Sequence, residues 1–208
     1  MAMSPAVKQR QSDRRVDILE AAQRCFARHG FHSTSMQQIC AEAGMSAGNL
    51  YRYFPSKEAI IAGIAERDRA EVVAEFEAAD LSRGLLATLE GLARHHFAER
   101  SDEQIALCIE ITSESHRSPE VARIYQAFDA EVRARISGML RFAAGRGEIP
   151  SDLDFDAITE MLLIMADGVW MRRAIEPGFD AGAMIPMFMG ITRHLLRIPP
   201  DGVKESNE

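Results

Sequence analysis

Four side chains within nine residues could read and grip a polyanionic duplex: Asn49, Tyr51, Tyr53 and Lys57. An asparagine can pair bidentately with the edge of adenine, and a tyrosine offers ring and hydroxyl to thymine. A phenol and an ammonium suit phosphate oxygens, which fix register without carrying sequence information. Asn49 and Tyr51 are therefore read as base contacts, Tyr53 and Lys57 as phosphate contacts. Thr34, a hydroxyl at a helix start, joins the phosphate set, and Ser35 beside it completes the group at that end. Arg52 can reach a phosphate or a guanine, and Arg10, Arg14 and Arg15 can clamp flanking phosphates. Ala47 and Gly48 matter for being small, because they let a helix N-terminus approach closely.

Such side chains work only if a short helix presents them, and the local signals supply one. Ser35 with Gln38 three residues on forms a capping-box pattern, and Met36, Ile39, Cys40 and Ala43 then share one helical face. Gly44 provides a left-handed stop, and Ser46 can cap a second helix almost at once. That second helix buries Leu50 and Phe54. Two short helices joined by a glycine-containing turn form the unit that places a recognition helix in a major groove.

Residues 14–64 resemble the TetR/AcrR family of dimeric, ligand-responsive transcriptional repressors. The resemblance rests on Thr34, Ile39, Ala43-Gly44, Ser46, Gly48, Leu50-Tyr51, Tyr53-Phe54 and Lys57-Glu58, with an amphipathic helix upstream ending at Gly30-Phe31. Met45 stands where the family usually has valine and Cys40 where alanine is common; both substitutes are apolar and pack similarly. The resemblance implies a homodimer on a pseudo-palindromic double-stranded operator, with half-sites about one helical turn apart or a little more. It also implies a four-helix bundle made by the last two helices of each subunit, and a pocket for a small apolar or aromatic effector among helices 5–8. The soft residues there are His96, Phe97, Cys108, Ile111, Tyr125, Phe128, Met161, Met165 and Trp170. Met-rich apolar surfaces adapt to varied ligands.

The remaining pattern predicts an all-α chain of about nine helices, since period-2 alternation is nearly absent. A mobile arm is expected over residues 1–11, and helix 1 from Asp13 to His29. Helix 4 should run from Lys57, capped by Ser56, to Ala79. Helix 5 is expected over Ser82–Arg100, and helix 6 from Ser101-Asp102 to His116. Helix 7 should open at Pro119 and end at Gly145 or Gly147. Helix 8 spans Asp156–Ile175, and helix 9 spans Ala183–Leu196 with Pro186 in its first turn or kinking it. Helix 8 is apolar nearly all round and must be covered on several sides. The expected domains are 1–56 (arm and helix-turn-helix) and 57–198 (effector and dimerisation body), with 199–208 a disordered tail.

Composition narrows the class. Residues 1–60 hold eight Lys/Arg against five Asp/Glu, whereas the remainder holds 16 against 26, so a net charge of −7 hides a basic head on an acidic body. The three cysteines, Cys25, Cys40 and Cys108, are far apart on apolar faces and read as reduced core residues of a cytoplasmic protein. The longest apolar run, Ala183–Ile191, is about half of the ~20 residues that span a bilayer, so no membrane partner is expected. Gly44–Gly48 matches the G-x-S-x-G elbow of hydrolases, but that elbow needs a preceding strand, and Gln37–Ala43 forms helix. His95 and His96 are adjacent on a helix, point about 100° apart and have no cysteine at ligand spacing, so no metal site is read there. No cofactor and no enzyme activity are expected. The alternative is a helix-turn-helix regulator without a small-molecule inducer.

Overall fold

A computed structural model describes residues 5–78 and 81–199; the expected tail and the first four residues of the expected arm lie outside this range, apart from Pro199. Among the described residues nine α-helices follow in order: α1 Pro5–His29, α2 Met36–Glu42, α3 Ala47–Tyr53, α4 Lys57–Ala78, α5 Leu85–Arg94, α6 Asp102–Ser115, α7 Pro119–Gly145, α8 Phe155–Ile175 and α9 Ile185–Leu195. Among the described residues there is no strand. Two compact units result, Met1–Glu71 with Ser101–Phe128, and Val72–Arg100 with Asp129–Glu208. The division cuts through α4 and α7, and it groups α6 with the helix-turn-helix.

The first unit folds round one core. Ile18, Ala22, Cys25 and Phe26 of α1 meet Met36, Ile39 and Cys40 of α2, Leu50 and Phe54 at α3, Ile60, Ile61 and Ile64 of α4, and Leu107 and Ile111 of α6. The spacing of each set is the i, i+3/i+4, i+7 stripe of an amphipathic helix. Gly63 lets α4 come close, because a Cβ there would stand 3.0 Å from both Leu19 Cδ2 and Phe54 Cε1.

In the second unit, Leu85, Leu89, Met139, Leu140, Ile158, Leu162 and Leu196 form one cluster. Ala93, Phe97, Ala181 and Ile185 form another, against which Val169, Trp170, Phe188 and Met189 pack.

Three expectations are corrected. The helix expected from Asp13 already begins at Pro5, so residues 5–11 are helical where an arm was expected; proline suits the first helical turn, whose orphan donors it does not need. Helix 5 is not one piece: a 3₁₀ turn spans Leu81–Arg83, and Gly84 at φ +90° restarts the chain. Glu148 Oε2 accepts the Leu85 N–H at 2.8 Å, supplying the cap that glycine lacks. The same helix ends in a five-residue π turn, His95–Glu99. Helix 9 begins after a 3₁₀ turn at Gly182–Met184, with Pro186 in its first turn. Helix 8 is covered on one side only; Met161, Ile164, Met171 and Ile175 are exposed, as are Met184, Met187 and Ile191 on the following segment.

Candidate nucleic-acid interface

The helix-turn-helix is built by local chemistry. The Ser35 hydroxyl accepts the Gln38 N–H at 3.2 Å while Gln38 Oε1 accepts the Ser35 N–H at 2.7 Å, the reciprocal capping box. Gly44 takes φ +62°, and the Met45 N–H returns to the Cys40 carbonyl at 3.0 Å, closing α2. Ser46 holds the N-cap position of α3 with extended backbone, but its hydroxyl makes no capping bond and is exposed. Ser56 does cap α4, its hydroxyl accepting the Ala59 N–H at 3.2 Å.

On α3, Ala47, Gly48, Tyr51 and Arg52 are exposed, Asn49 and Tyr53 are half-buried, and Leu50 is fully buried. A Cβ added at Gly48 would meet nothing within 4 Å, so its surroundings are open. Tyr51, 49% exposed, is a large apolar side chain left open on this helix. Tyr53 packs partly on the head core.

Thr34 is placed differently from the expectation. Its side chain is buried, and its hydroxyl donates to the carbonyls of Gly30 at 2.8 Å and Cys25 at 3.2 Å. The Gly30 carbonyl lies just past the end of α1, where no helical donor meets it, and Thr34 satisfies it. Lys57 is also engaged: Nζ donates to the carbonyls of Phe31 at 2.7 Å and His32 at 3.2 Å, and lies 4.6 Å over the Phe31 ring. An ammonium has three donors, so one remains for a phosphate. Arg15 turns inward, donating to the Tyr53 carbonyl at 3.2 Å with its guanidinium 4.4 Å over the Phe54 ring. Arg14 meets Asp17 at 3.2 Å. The side chain of Arg10 lies outside the described residues.

One group that the sequence pattern did not single out is Glu42. Arg24 at 2.7 Å and Arg28 at 3.4 Å join it, pinning α2 to α1. The hydrogen bond from Arg24 holds the Glu42 carboxyl below the usual carboxylate range. Burial pushes the thiols of Cys25 and Cys40 up, which keeps them in the unreactive protonated form.

The residues expected to line an effector pocket separate. Cys108, Ile111, Tyr125 and Phe128 belong to the first unit, where Ile111 sits in the core and Tyr125 packs against it. His96, Phe97 and Trp170 come together in the second: Trp170 Nε1 donates to the His96 carbonyl at 3.1 Å, and the two rings lie 6.1 Å apart. Arg173 donates to the Phe97 carbonyl at 3.0 Å, so α8 caps the end of the π turn twice. Met165 packs on the neighbouring cluster, and Met161 is exposed. A groove of about 390 Å³ opens elsewhere in the second unit, lined by Glu75, Ala78, Arg83, Thr88, Gly91 and His95 among others. None of its lining residues is in the expected set. The signal that could have found it is the small pair Ala87 and Gly91, four residues apart on one face of α5.

His95 and His96 both turn to Glu75, at 2.9 and 3.4 Å, and Arg100 stands 3.8 Å from the same carboxylate. Burial, with the charges of Arg100 and His95, pushes the His96 imidazole down from 6.5 to about 3. The folded chain thus keeps His96 neutral where the unfolded chain binds a proton. The resulting stability is complete above pH 6.5 and is lost as pH falls toward 3, by up to ~1.4 kcal/mol per pH unit. Melting temperature measured across that window should fall less steeply in a His96→Gln variant than in wild type; parallel curves would contradict the assignment.

Comparison with known proteins agrees with the geometry of the head. The model of bacterial regulatory proteins of the tetR family matches residues 18–64, and the BetI-type transcriptional repressor C-terminal model matches residues 96–197. The chain is 32% identical to the HTH-type transcriptional regulator UidR of Escherichia coli (strain K12) over 159 residues, 74% of this chain and 79% of that protein. It is 27% identical over 179 residues to the HTH-type transcriptional repressor AcnR of Corynebacterium glutamicum, covering 83% of this chain and 88% of that one. Among solved structures, Salmonella enterica GusR superposes with a TM-score of 0.79 at 32% identity, covering 89% of this chain and 96% of that chain. The regulator FadR from Bacillus subtilis, solved in complex with stearoyl-CoA, shares the fold at 19% identity and a TM-score of 0.75, covering 91% and 99%. No described helix is long and apolar enough to cross a membrane. A capped helix-turn-helix that leaves Tyr51 and Arg52 outward, carried by a chain alike to regulators along most of its length, identifies a DNA-binding member of the TetR family of transcriptional regulators.

Proposed function

We propose that the chain is a homodimeric repressor that grips a pseudo-palindromic operator with one α3 per half-site and lets go when a small apolar or aromatic effector enters the body. The observation that carries the dimer is the exposed apolar stripe on α8 at Met161, Ile164, Met171 and Ile175, with Gly168 between them. Its 3-4-3-4 spacing is that of a helix seam. Met187 and Ile191 extend it onto α9. A second copy offering the same stripe across a two-fold axis covers both.

In this reading residues 1–56 are the reading head and 57–198 the effector and dimerisation body, with α6 as the body helix that packs on the head. Asn49 and Tyr51 read base edges, while Arg52, Tyr53, Ser35 and the remaining Lys57 donor hold phosphates, and Ala47 and Gly48 admit the groove wall. The effector is held within the second unit, among His96, Phe97, Trp170 and Met165. AcnR, a repressor, supports negative control; FadR, solved with stearoyl-CoA, supports effector binding on this fold. An effector that changes operator affinity typically does so by ~1–3 kcal/mol.

The test is a gel shift of the purified protein on DNA upstream of its own gene and its neighbours. A discrete complex that survives competitor DNA and weakens with salt supports the reading; absence from every fragment, after removal of any co-purified ligand, counts against it. On such a fragment Tyr51→Ala should cost about 1–3 kcal/mol and blur the preferred sequence, because it removes a base contact. Binding equal to wild type would remove Tyr51 from the interface. A thermal-shift screen against apolar and aromatic metabolites then separates an inducible repressor from a regulator without an inducer, since a ligand of the native state raises the melting temperature.

A further inference from the structure

The turn between α1 and α2, Gly30-Phe31-His32, is gripped from two sides. On its donor side, the Phe31 N–H gives a 2.8 Å hydrogen bond to Glu110 Oε2, and His32 Nε2 stands 2.7 Å from Glu114 Oε2. Both carboxylates lie on α6, four residues apart and so on one face. On its acceptor side, Lys57 at the start of α4 holds the Phe31 and His32 carbonyls. The fit at the turn is close: a Cβ on Gly30 would lie 3.5 Å from both Glu110 carboxylate oxygens.

Packing alone does not require acids here. Leu107 and Ile111 already bind α6 to the head core. Glu114 has a side chain only 7% exposed, facing a histidine that is 62% exposed. A buried carboxylate is costly unless a partner meets it in good geometry. Glu114 Oε2 makes no hydrogen bond despite the nearby His32 ring, whereas the Phe31 N–H has Glu110 as its acceptor and would lose it if α6 slid or rotated. The turn leads directly into Thr34 and the Ser35 cap, and hence into α2 and the reading helix.

We propose that Glu110 and Glu114 are positioning residues, a two-carboxylate latch through which α6 sets the α1–α2 turn and thereby the pose of α3 on DNA. The inference rests on the repressor reading above and names the contact that an effector must open. Its consequence is reciprocal: if the closed latch favours operator binding, operator binding must favour the closed latch by the same factor.

The experiment is amide hydrogen exchange of Phe31 in the full-length chain, free and with the operator fragment, in wild type, Glu110→Ala and Glu110→Gln. Operator should slow Phe31 exchange in wild type by about 5- to 150-fold. Glu110→Ala should exchange quickly in the free protein and weaken operator binding by a similar factor. Glu110→Gln, which keeps an acceptor oxygen, should restore most of both. A purely structural bond would protect Phe31 equally with and without DNA, and that result overturns the latch. So does a Glu110→Ala protein that exchanges fast yet binds operator with unchanged affinity. If the alanine variant loses helical circular dichroism, the glutamine variant and the DNA dependence of wild type decide alone. Wild type failing on every DNA fragment would instead refute the regulatory reading, while an unprotected Phe31 in the free protein would refute the latch itself.

Discussion

Ile164→Glu is expected to yield a folded monomer that no longer holds its operator. Ile164 is 54% exposed and sits mid-stripe on α8, between Met161 and Met171. It belongs to neither core cluster of the second unit, so helical content should be unchanged. Across a two-fold axis, each substitution counts twice. Fully burying an exposed isoleucine contributes ~1.5–3 kcal/mol; Ile164 is already about half covered, so two copies contribute ~1.5–3 kcal/mol, or about 10- to 200-fold in the dimer constant. Two carboxylates brought into the same dry seam add repulsion to that loss. Sedimentation velocity at micromolar concentration reads the mass directly, and a gel shift reads the operator. A variant that stays dimeric would show that the stripe is not the interface.

The second large effect lies in the head. Phe54 is 1% exposed, with the Arg15 guanidinium 4.4 Å above its ring and Gly63 against its edge. Removing a buried phenylalanine costs ~3–5 kcal/mol, less where neighbours collapse into the space. Gly63 has no side chain to move in, and Arg15 is held by the Tyr53 carbonyl. Phe54→Ala should therefore fall toward the upper end in urea denaturation. The head should loosen and DNA binding disappear, while the dimer proposed above persists. A loss below ~1 kcal/mol would mean that the site relaxes freely.

The helix-turn-helix was legible because its signals are local. Ser35 and Gln38 are three residues apart, Gly44 terminates α2 by its own conformation, and Leu50 and Phe54 define a buried face over one turn. The same holds for Pro119 opening α7 and Pro186 in the first turn of α9. What sequence spacing missed was set by partners far along the chain. Thr34 and Lys57 have the right chemistry for phosphate, yet their polar atoms answer the carbonyls of Gly30, Phe31 and His32. Arg15 reads as a flanking clamp until Phe54 arrives beneath it.

The start of α1 escaped because residues 5–12 carry no steady apolar period for the spacing to register. Gly84 and the π turn divide what hydrophobic spacing reads as one helix, since spacing does not register backbone conformation. The all-round apolarity of α8 told that it needs cover, but not which side the protomer itself provides.

Met161, Met171, Met184 and Met187 give the exposed stripe a chemical vulnerability along with its softness. Peroxide adds an oxygen to an accessible thioether and turns an apolar side chain into a polar one. In the dimer proposed above a paired chain would shield these sulfurs, whereas an unpaired chain presents them to solvent. Oxidative damage would then fall on newly made, unpaired chains and leave them unable to pair.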